Sequence, residues 1–392
     1  MDEIERKLRH SLSAHAHARS DTEHAWRRIL ADVTQSQSGA VTSERGSDSR
    51  WRTILVAAII SGLTFSLAVV AFRSSDRDIR PPAPAAGVTG SVPTVELTAE
   101  IDVGGMPFDL VSSGGEVWVA VQTSHGDRMV RIDSAGGVVT GSIGVSSQWD
   151  YLTPGPAGVW GAQLEGSELD RGYSVRQLDT SGEVAAELSD TSGPLAMAAD
   201  ALWATSPDHR TLLQLDPVTG AKEAEVELPE QVYQLAGDGT SIWAVAHEAD
   251  RFDVIRVDAQ TAEVTGKIDL PGSGIPLAPV VGEGMVYVPV LKDGAVSIEV
   301  IDVSSDAIVD SVETEGAVPI SSTDTGLWLL GERGDLYWMS EPDRSISHVA
   351  QLPNTPTEVG MMTTATYERS MDAIWVSTSS GFVMKVEVVH AS

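Results

Sequence analysis

A short phrase built around an aromatic residue recurs seven times in the sequence. Its first copy is GGEVWVA, and later copies include ADALWAT, GTSIWAV and MDAIWVS. The aromatic residues of the seven copies are Trp118, Trp160, Trp203, Trp243, Tyr287, Trp328 and Trp375. Successive copies lie 42, 43, 40, 44, 41 and 47 residues apart. Because a four-stranded β-propeller blade has a length in the low forties, the period predicts one blade per copy.

A second phrase recurs in step with the first and ends in a polar residue. Its copies are RID, QLD, QLD, RVD, VID, WMS and KVE, which end at Asp133, Asp179, Asp216, Asp258, Asp302, Ser340 and Glu387. Alternating apolar and polar segments between Gly, Asp and Ser turns indicate four antiparallel strands in each unit. We expect the aromatic ring to pack one blade against the next. The recurring Asp should end its strand in a turn by accepting backbone hydrogen bonds.

The two ends of the repeat region complement each other. The seventh unit has no outer-strand segment after Val389, and residues 93–103 read as an outer strand with no unit before them. Pairing these segments completes the seventh blade and leaves no open sheet edge. The sequence therefore predicts an all-β, seven-bladed β-propeller over residues 94–392, closed by an N-terminal outer strand.

The paired phrases, as in VWVA followed by RIDSAGGVVTGSI, resemble those of the YVTN-type and streptogramin-lyase-like seven-bladed propellers. The resemblance covers about residues 94–392, and the repeated phrases lack the Gly-His and Trp-Asp dipeptides that recur in Trp-Asp-repeat propellers. These related propellers include enzymes as well as plain binding proteins. The resemblance thus implies a fold and leaves the function open.

Residues 53–72 form an uncharged stretch of twenty residues, TILVAAIISGLTFSLAVVAF. As a helix it would rise about 30 Å, which matches the hydrocarbon thickness of a bilayer. Arg52 and Arg73 flank the stretch, and Trp51 fits an interfacial anchor. We predict one transmembrane helix, with a buried core helix as the alternative. Nine basic residues before the stretch favour a cytoplasmic N-terminus and an extracytoplasmic propeller at the cell membrane.

The segments on either side of the predicted span differ in character. Residues 1–52 carry apolar residues at helical spacing and a capping box at Ser20 and Glu23, which predicts a short helical tail with a tether. Residues 73–93 are rich in Pro, Gly and Ser and predict a linker. The tail is a candidate for binding a cytoplasmic partner. Its layout resembles that of single-pass anti-sigma proteins, although the zinc-type motif His-xxx-Cys-xx-Cys is absent.

Charge and cysteine content exclude several classes of function. The segment after the span, residues 73–392, contains 17 basic and 48 acidic residues, a net charge of −31. Phosphate backbones would be repelled, so nucleic acid is excluded as a partner. The chain contains no cysteine, which excludes disulfides, thiolate zinc sites and cysteine nucleophiles. We predict no cofactor.

The mouth of a propeller's central channel is the usual place for a ligand. The repeat phase places seven candidate binding residues there: Asp109, Trp149, Asp150, Tyr151, Tyr233, Gln234 and Glu358. The segment SSQWDYL departs most from the repeat, and its aromatic–acid–aromatic triplet suits a cation, a sugar or a peptide. The alternative is that Trp149 and Tyr151 merely fill the channel.

The histidines give no clear catalytic or metal-binding pattern. Those after the span are His125, His209, His247, His348 and His390, and none belongs to a Glu-x-His pair as the lyase resemblance would require. We therefore predict a non-catalytic binding or scaffolding module whose ligand is a protein or a small molecule. One alternative is a metal-dependent lyase-like or hydrolytic enzyme using His247 at the mouth. Another is an anti-sigma-like regulator acting through the tail.

Overall fold

The structure is a computed structural model. It describes residues 92–167, 170–248, 251–282, 284–323, 325–331, 334–341, 343–353, 362–368, 370–378 and 380–389. The predicted tail, the predicted transmembrane helix, the linker up to residue 91 and the candidate residue Glu358 lie outside this range. Among the residues that are described, no helix is long and apolar enough to cross a bilayer.

The described chain folds into seven antiparallel sheets, each a blade that runs from an inner to an outer strand. Blade one contains β2 (Met106–Ser113), β3 (Glu116–Gln122), β4 (Asp127–Asp133) and β5 (Val138–Val145). Blade two contains β6 (Trp149–Gly155), β7 (Gly158–Ser167), β8 (Asp170–Asp179) and β9 (Val184–Leu188). Blade three contains β10 (Ser192–Ala198), β11 (Ala201–Thr205), β12 (Thr211–Leu215) and β13 (Lys222–Glu227).

The remaining blades follow the same order, with one variation in blade five. Blade four contains β14 (Gln231–Gly237), β15 (Ser241–Glu248), β16 (Arg251–Asp258) and β17 (Glu263–Asp269). Blade five contains a split inner strand, β18 (Ile275–Pro276) and β19 (Val280–Val281), and then β20 (Met285–Lys292), β21 (Ala295–Asp302) and β22 (Ala307–Glu313). Blade six contains β23 (Val318–Thr323), β24 (Gly326–Leu330), β25 (Asp335–Ser340) and β26 (Ile346–Gln351). Blade seven contains β27 (Met362–Glu368), β28 (Ala373–Thr378), β29 (Phe382–Val389) and β1 (Thr94–Asp102).

Blade seven joins the two ends of the propeller, as the sequence predicts. The first strand, β1, pairs antiparallel with β29, from Thr94 opposite Val389 to Asp102 opposite Phe382. The sheet order is β1-β29-β28-β27, so the N-terminal strand is the outer strand of the last blade. The predicted seven-bladed, all-β fold and its closure are confirmed.

The recurring aromatic residues are buried between neighbouring blades. Trp118 of blade one shares an apolar cluster with Leu178 of blade two, and Trp203 of blade three shares one with Ile242 of blade four. The ring of clusters closes where Trp375 of blade seven meets apolar residues of blade one. Six of the seven rings belong to tryptophan, and each is at most 1% exposed. The predicted packing role is confirmed.

The recurring aspartates stabilise the turns that follow the third strand in blades one to five. Asp216 Oδ1, for example, accepts hydrogen bonds from the backbone N–H groups of Val218 at 3.0 Å and Thr219 at 2.6 Å. Blade six lacks this aspartate, because Ser340 stands in its place. There Asp343 supplies the carboxylate from within the turn and bonds to the Ser340 hydroxyl. The predicted turn role is confirmed for blades one to five, and blade six keeps the same chemistry through Asp343. Blade seven carries Glu387 at this position.

Candidate functional site: the channel mouth

The innermost strands do not run in perfect register with their neighbours. In β2 the pairing shifts between Pro107 and Asp109, and in β14 it shifts between Val232 and Gln234. The shift in β6 is wider and spans the residues after Asp150. Because a bulge bends its strand and re-aims a side chain, simple alternation does not give the direction of the side chains beyond each shift.

Asp109 on β2 links the inner strands of blades one and two. Its Oδ1 accepts a hydrogen bond from the backbone N–H of Leu110 at 2.8 Å, and its Oδ2 accepts one from Leu152 at 2.7 Å. Burial raises the pKa of this carboxyl to about 7, against the opposing effect of these hydrogen bonds. The negative charge of Asp150 raises the pKa further.

Asp150 on β6 lies next to this first carboxylate. Its Oδ1 accepts a hydrogen bond from Gln148 Nε2 at 2.9 Å, and the Tyr173 hydroxyl also donates to its carboxylate. Burial raises the pKa of Asp150 to about 6, although both hydrogen bonds act in the opposite direction. Two neighbouring acids with raised pKa values therefore lie at the inner strands of blades one and two.

Tyr151 follows in the bulge of β6 and has a left-handed backbone, with φ at 56°. Such a conformation is uncommon for a residue with a side chain and marks a position held by its surroundings. Its ring meets the ring of Tyr173 edge-on, with centroids 6.1 Å apart. A Cβ on Gly193 would lie 2.3 Å from the Tyr151 ring, so only glycine admits the ring there.

The pKa of the Tyr151 phenol responds to charged groups from three blades. Burial raises the pKa of Tyr151, and Tyr173, Asp150, Tyr233 and Asp109 raise it further through their charges. These four groups come from β8, β6, β14 and β2. We name the five residues Asp109, Asp150, Tyr151, Tyr173 and Tyr233 the mouth cluster.

Tyr233 completes the mouth cluster from blade four. Its ring contacts Phe252 edge-on at 5.7 Å and lies 6.1 Å from the ring of His247. Its hydroxyl is buried and has no hydrogen-bond partner among the described residues. Burial raises the pKa of this phenol, so the hydroxyl stays neutral and can both donate and accept.

The acids of the mouth cluster have no basic partner in the described part of the chain. The ion pairs found there involve neither Asp109 nor Asp150. Two carboxylates thus share a buried region without a counter-charge, which is unfavourable while both are ionised.

The other predicted site residues lie elsewhere or are not described. Trp149 is 2% exposed and belongs to the apolar cluster of Trp118 between blades one and two. Gln234 is half-buried one residue beyond the shift in β14. Four of the seven predicted residues therefore come together, and Tyr173 joins them. Sequence reasoning missed Tyr173 because it considered only the innermost strands, and this residue lies on the third strand of blade two.

His247, the candidate of the enzyme alternative, is half-buried and packs against Phe252 at 4.6 Å between ring centroids. In the residues that the structure describes, no three side chains of His, Asp or Glu converge as a metal site would require. A groove of about 520 Å³ lies elsewhere, between the outer parts of blades two and three, where Leu188, Pro207 and Lys222 are among its lining residues. None of the mouth cluster lines this groove.

Comparisons with known proteins identify the fold and no family. No protein-family model matches the sequence, and no curated protein matches it. Solved structures that share the fold include the WD40 domain of Pan2 from Neurospora crassa, at 10% identity and a TM-score of 0.59, covering 76% of this chain and 96% of that one. BamB from Moraxella catarrhalis matches at 12% identity and a TM-score of 0.48, covering 76% of this chain and 99% of that one. At such low identity the likeness to the WD40 domain concerns the fold alone.

Proposed function

We propose that this protein is a binding or scaffolding module whose ligand contacts the mouth of the propeller channel. One observation carries the proposal: among the described residues, the two carboxylates of the mouth cluster have no basic partner and the Tyr233 hydroxyl has no hydrogen-bond partner. A buried polar group without a partner costs about 1–3 kcal/mol. A ligand that supplies the missing hydrogen-bond and charge partners would recover that free energy. Without a ligand, only water can contact these groups.

The placement of the module in the cell is part of the same proposal. The uncharged stretch at residues 53–72 supports a single span, and the basic residues before it support a cytoplasmic tail. The propeller would then face the outside of the cell membrane. The tail would be free to bind a cytoplasmic partner. The net negative charge of the propeller would attract basic partners, but only over about 10 Å, because salt screens charges beyond that distance.

The binding proposal can be tested by photo-crosslinking in native membranes. A photoreactive phenylalanine analogue replaces Tyr233 in the full chain, and a matched control carries the analogue in place of Val264. Val264 is 49% exposed on the outer strand β17, away from the mouth. We expect a crosslinked species from the Tyr233 position alone. Equal products from both positions, or products only from Val264, would contradict a ligand at the mouth.

The placement can be tested separately, because the chain has no cysteine. Val184 is 55% exposed on β9, so a single Val184→Cys substitution offers an accessible thiol. In intact cells a membrane-impermeant maleimide should label this thiol at once. The matched variant Ser36→Cys, in the tail, should be labelled only after lysis. The reverse pattern would show that the orientation is wrong while leaving the binding proposal intact.

A further inference from the structure

We propose that Lys267 and Asp253 of blade four join their side chains in an amide bond, with Glu230 carrying the protons. The bond forms within the folded chain and needs no other reactant. This inference goes beyond the proposed binding function and does not depend on it. We name the three charged residues Glu230, Asp253 and Lys267 the blade-four triad.

The register of two neighbouring strands brings the blade-four triad together. Asp253 is the third residue of β16, and Lys267 lies on β17. Asp253 lies opposite Asp269, and Ile255 lies opposite Lys267. Asp253 and Lys267 are therefore diagonal neighbours on one face of the sheet, within reach of a long side chain. Glu230 directly precedes β14, where the chain enters the same blade.

The Lys267 amine contacts both carboxylates of the triad. Its Nζ donates to Glu230 Oε1 and lies 3.0 Å from Asp253 Oδ2. Glu230 is 1% exposed, and Asp253 is fully buried. The second oxygens, Glu230 Oε2 and Asp253 Oδ1, accept no hydrogen bond from the described residues. One amine thus serves two buried carboxylates, so a nucleophile, an electrophile and a proton carrier lie in contact.

Burial and contact both favour an amide over the ion pair. Groups that are held in position can react at effective concentrations of about 10⁵–10⁸ M. Replacing a buried ion pair with a neutral group is often neutral or stabilising, because charges are costly to remove from water. The amide N–H can still donate to Glu230, which keeps a partner for that carboxylate. The fully buried position of Asp253 keeps bulk water away from the bond once it has formed.

The atoms and charges of the reaction balance. Hydrogen bonds to Glu230 and Asp253 raise the pKa of Lys267, so the resting form is the ammonium and the first step is a proton transfer to Glu230. The neutral amine is the nucleophile, and its nitrogen forms a bond to Asp253 Cγ. Glu230 carries two protons in turn from this nitrogen to the departing oxygen. The C–O bond breaks, one water leaves, one proton stays on the amide nitrogen, and Glu230 ends as a carboxylate.

Two other lysine ion pairs lack the burial of the triad and serve as controls within the same molecule. Lys222 pairs with Glu225, and both side chains are more than half exposed. Lys385 is buried, but the side chain of its partner Glu387 is 42% exposed. Lys267 itself is 40% exposed, while the two acids of the triad are at most 2% exposed. The released water therefore has a route to the solvent along the lysine side chain.

The test is tryptic peptide mapping of the natural full-length chain by mass spectrometry. Trypsin does not cleave after an acylated lysine, so we expect residues 252–256 joined to residues 257–292. The mass of this product should be about 18 Da below the sum of the two peptides, because one water is lost. Residues 252–256 and 257–267 recovered only as separate peptides would overturn the inference. A link from Lys267 to Glu230, or water loss at the Lys222 and Lys385 pairs, would also overturn it.

Three variants test the roles within the triad. Glu230→Gln removes the proton carrier, and Lys267→Arg keeps the positive charge but removes the amine, so both should abolish the linked product. Asp269→Asn, at the exposed position opposite Asp253, should keep it. A linked product that persists in Glu230→Gln would overturn the role of Glu230. Circular dichroism reports whether each variant folds, and the map of the natural chain decides the inference even where a variant does not fold.

Discussion

Asp150 illustrates how one buried carboxyl links the site to the stability of the fold. Its pKa is about 6 in the folded chain against an ordinary value of 3.8. The folded state therefore holds more protons than the unfolded state between these values, and the free energy of unfolding falls as the pH rises from about 4 to about 6. Two pKa units correspond to at most about 3 kcal/mol.

Replacing this acid with Asn should flatten that part of the pH profile. The amide still accepts hydrogen bonds from Gln148 and Tyr173 but does not titrate. Urea unfolding of the full chain at pH 4, 5, 6 and 7 measures the slope. Asp269→Asn, at an exposed position, should keep the slope of the natural chain. Parallel profiles for Asp150→Asn and the natural chain would show that Asp150 titrates normally.

Two of the three tyrosine hydroxyls in the mouth cluster, those of Tyr173 and Tyr233, should respond differently to removal. Tyr173 donates to Asp150, so Tyr173→Phe removes a hydrogen bond to a charged group and should lower stability by about 1.5–3 kcal/mol. The Tyr233 hydroxyl has no partner in the described residues, so Tyr233→Phe should leave stability unchanged or raise it slightly. Differential scanning calorimetry of both variants gives the comparison. Equal losses would indicate that Tyr233 has a partner of its own.

The site residues show what the sequence can and cannot predict at this scale. The sequence could predict four of these residues because the repeat phase marks the innermost strand of each blade: Asp109, Asp150, Tyr151 and Tyr233. Trp149 lies on the same inner strand but is buried in the apolar cluster between blades one and two. A bulge leaves no periodic trace in a single sequence. Tyr173 reaches the mouth from a third strand, which a search confined to first strands omits.

At the scale of the element, a repeated contact joins each of blades one to four to the next blade. The residue opposite the recurring aromatic on the third strand reaches the turn of the following blade. Gln214 Nε2 donates to the carbonyl oxygen of Ala259 at 2.9 Å, and Arg256 donates to that of Val303 at 2.8 Å. Each acceptor directly follows a recurring Asp. The aspartate therefore shapes a turn whose next carbonyl receives a side chain from the neighbouring blade.

Removing one such contact should destabilise a single interface. Gln214→Leu deletes the donor and leaves the buried Ala259 carbonyl oxygen without it, which should cost about 1–3 kcal/mol. The matched control is Gln260→Leu, because Gln260 is exposed in the turn beside this acceptor. Urea unfolding of both variants should show a loss for Gln214→Leu only. A loss of the same size in the control would attribute the effect to the added leucine.

Blade five shows a limit of pattern-based prediction at the same scale. Its inner segment, PLAPVV, has the apolar character of the other inner strands, but the structure splits it into β18 and β19. Pro276 and Pro279 have no backbone N–H to donate to a sheet. The prediction of an inner strand is thus correct in position, while its continuity depends on hydrogen bonds that hydrophobic patterning does not report.

At the scale of the whole molecule, the number of blades and their closure could be predicted because the aromatic phrase recurs seven times in the sequence. One aromatic phrase would predict only a buried strand, whereas seven at one period require a ring of equivalent blades. The ring then has to close, and residues 94–102 are the outer strand available for blade seven. The segment before residue 92 lies outside the described residues, so the predicted span and tail remain predictions.

The closure can be tested with a disulfide, because the chain has no other cysteine to compete. Val95 on β1 lies opposite Val388 on β29, so the double variant Val95→Cys/Val388→Cys should form an intramolecular disulfide on oxidation. Because this bond closes a loop that spans the whole propeller, it should stabilise the fold by about 2–4 kcal/mol relative to the reduced form. Non-reducing electrophoresis and thermal unfolding measure the two effects.

The control pair Val95→Cys/Val138→Cys combines β1 with an outer strand of blade one that β1 does not pair with. This pair should not form a disulfide within the monomer. Equal crosslinking in both pairs would mean that β1 is not fixed in blade seven.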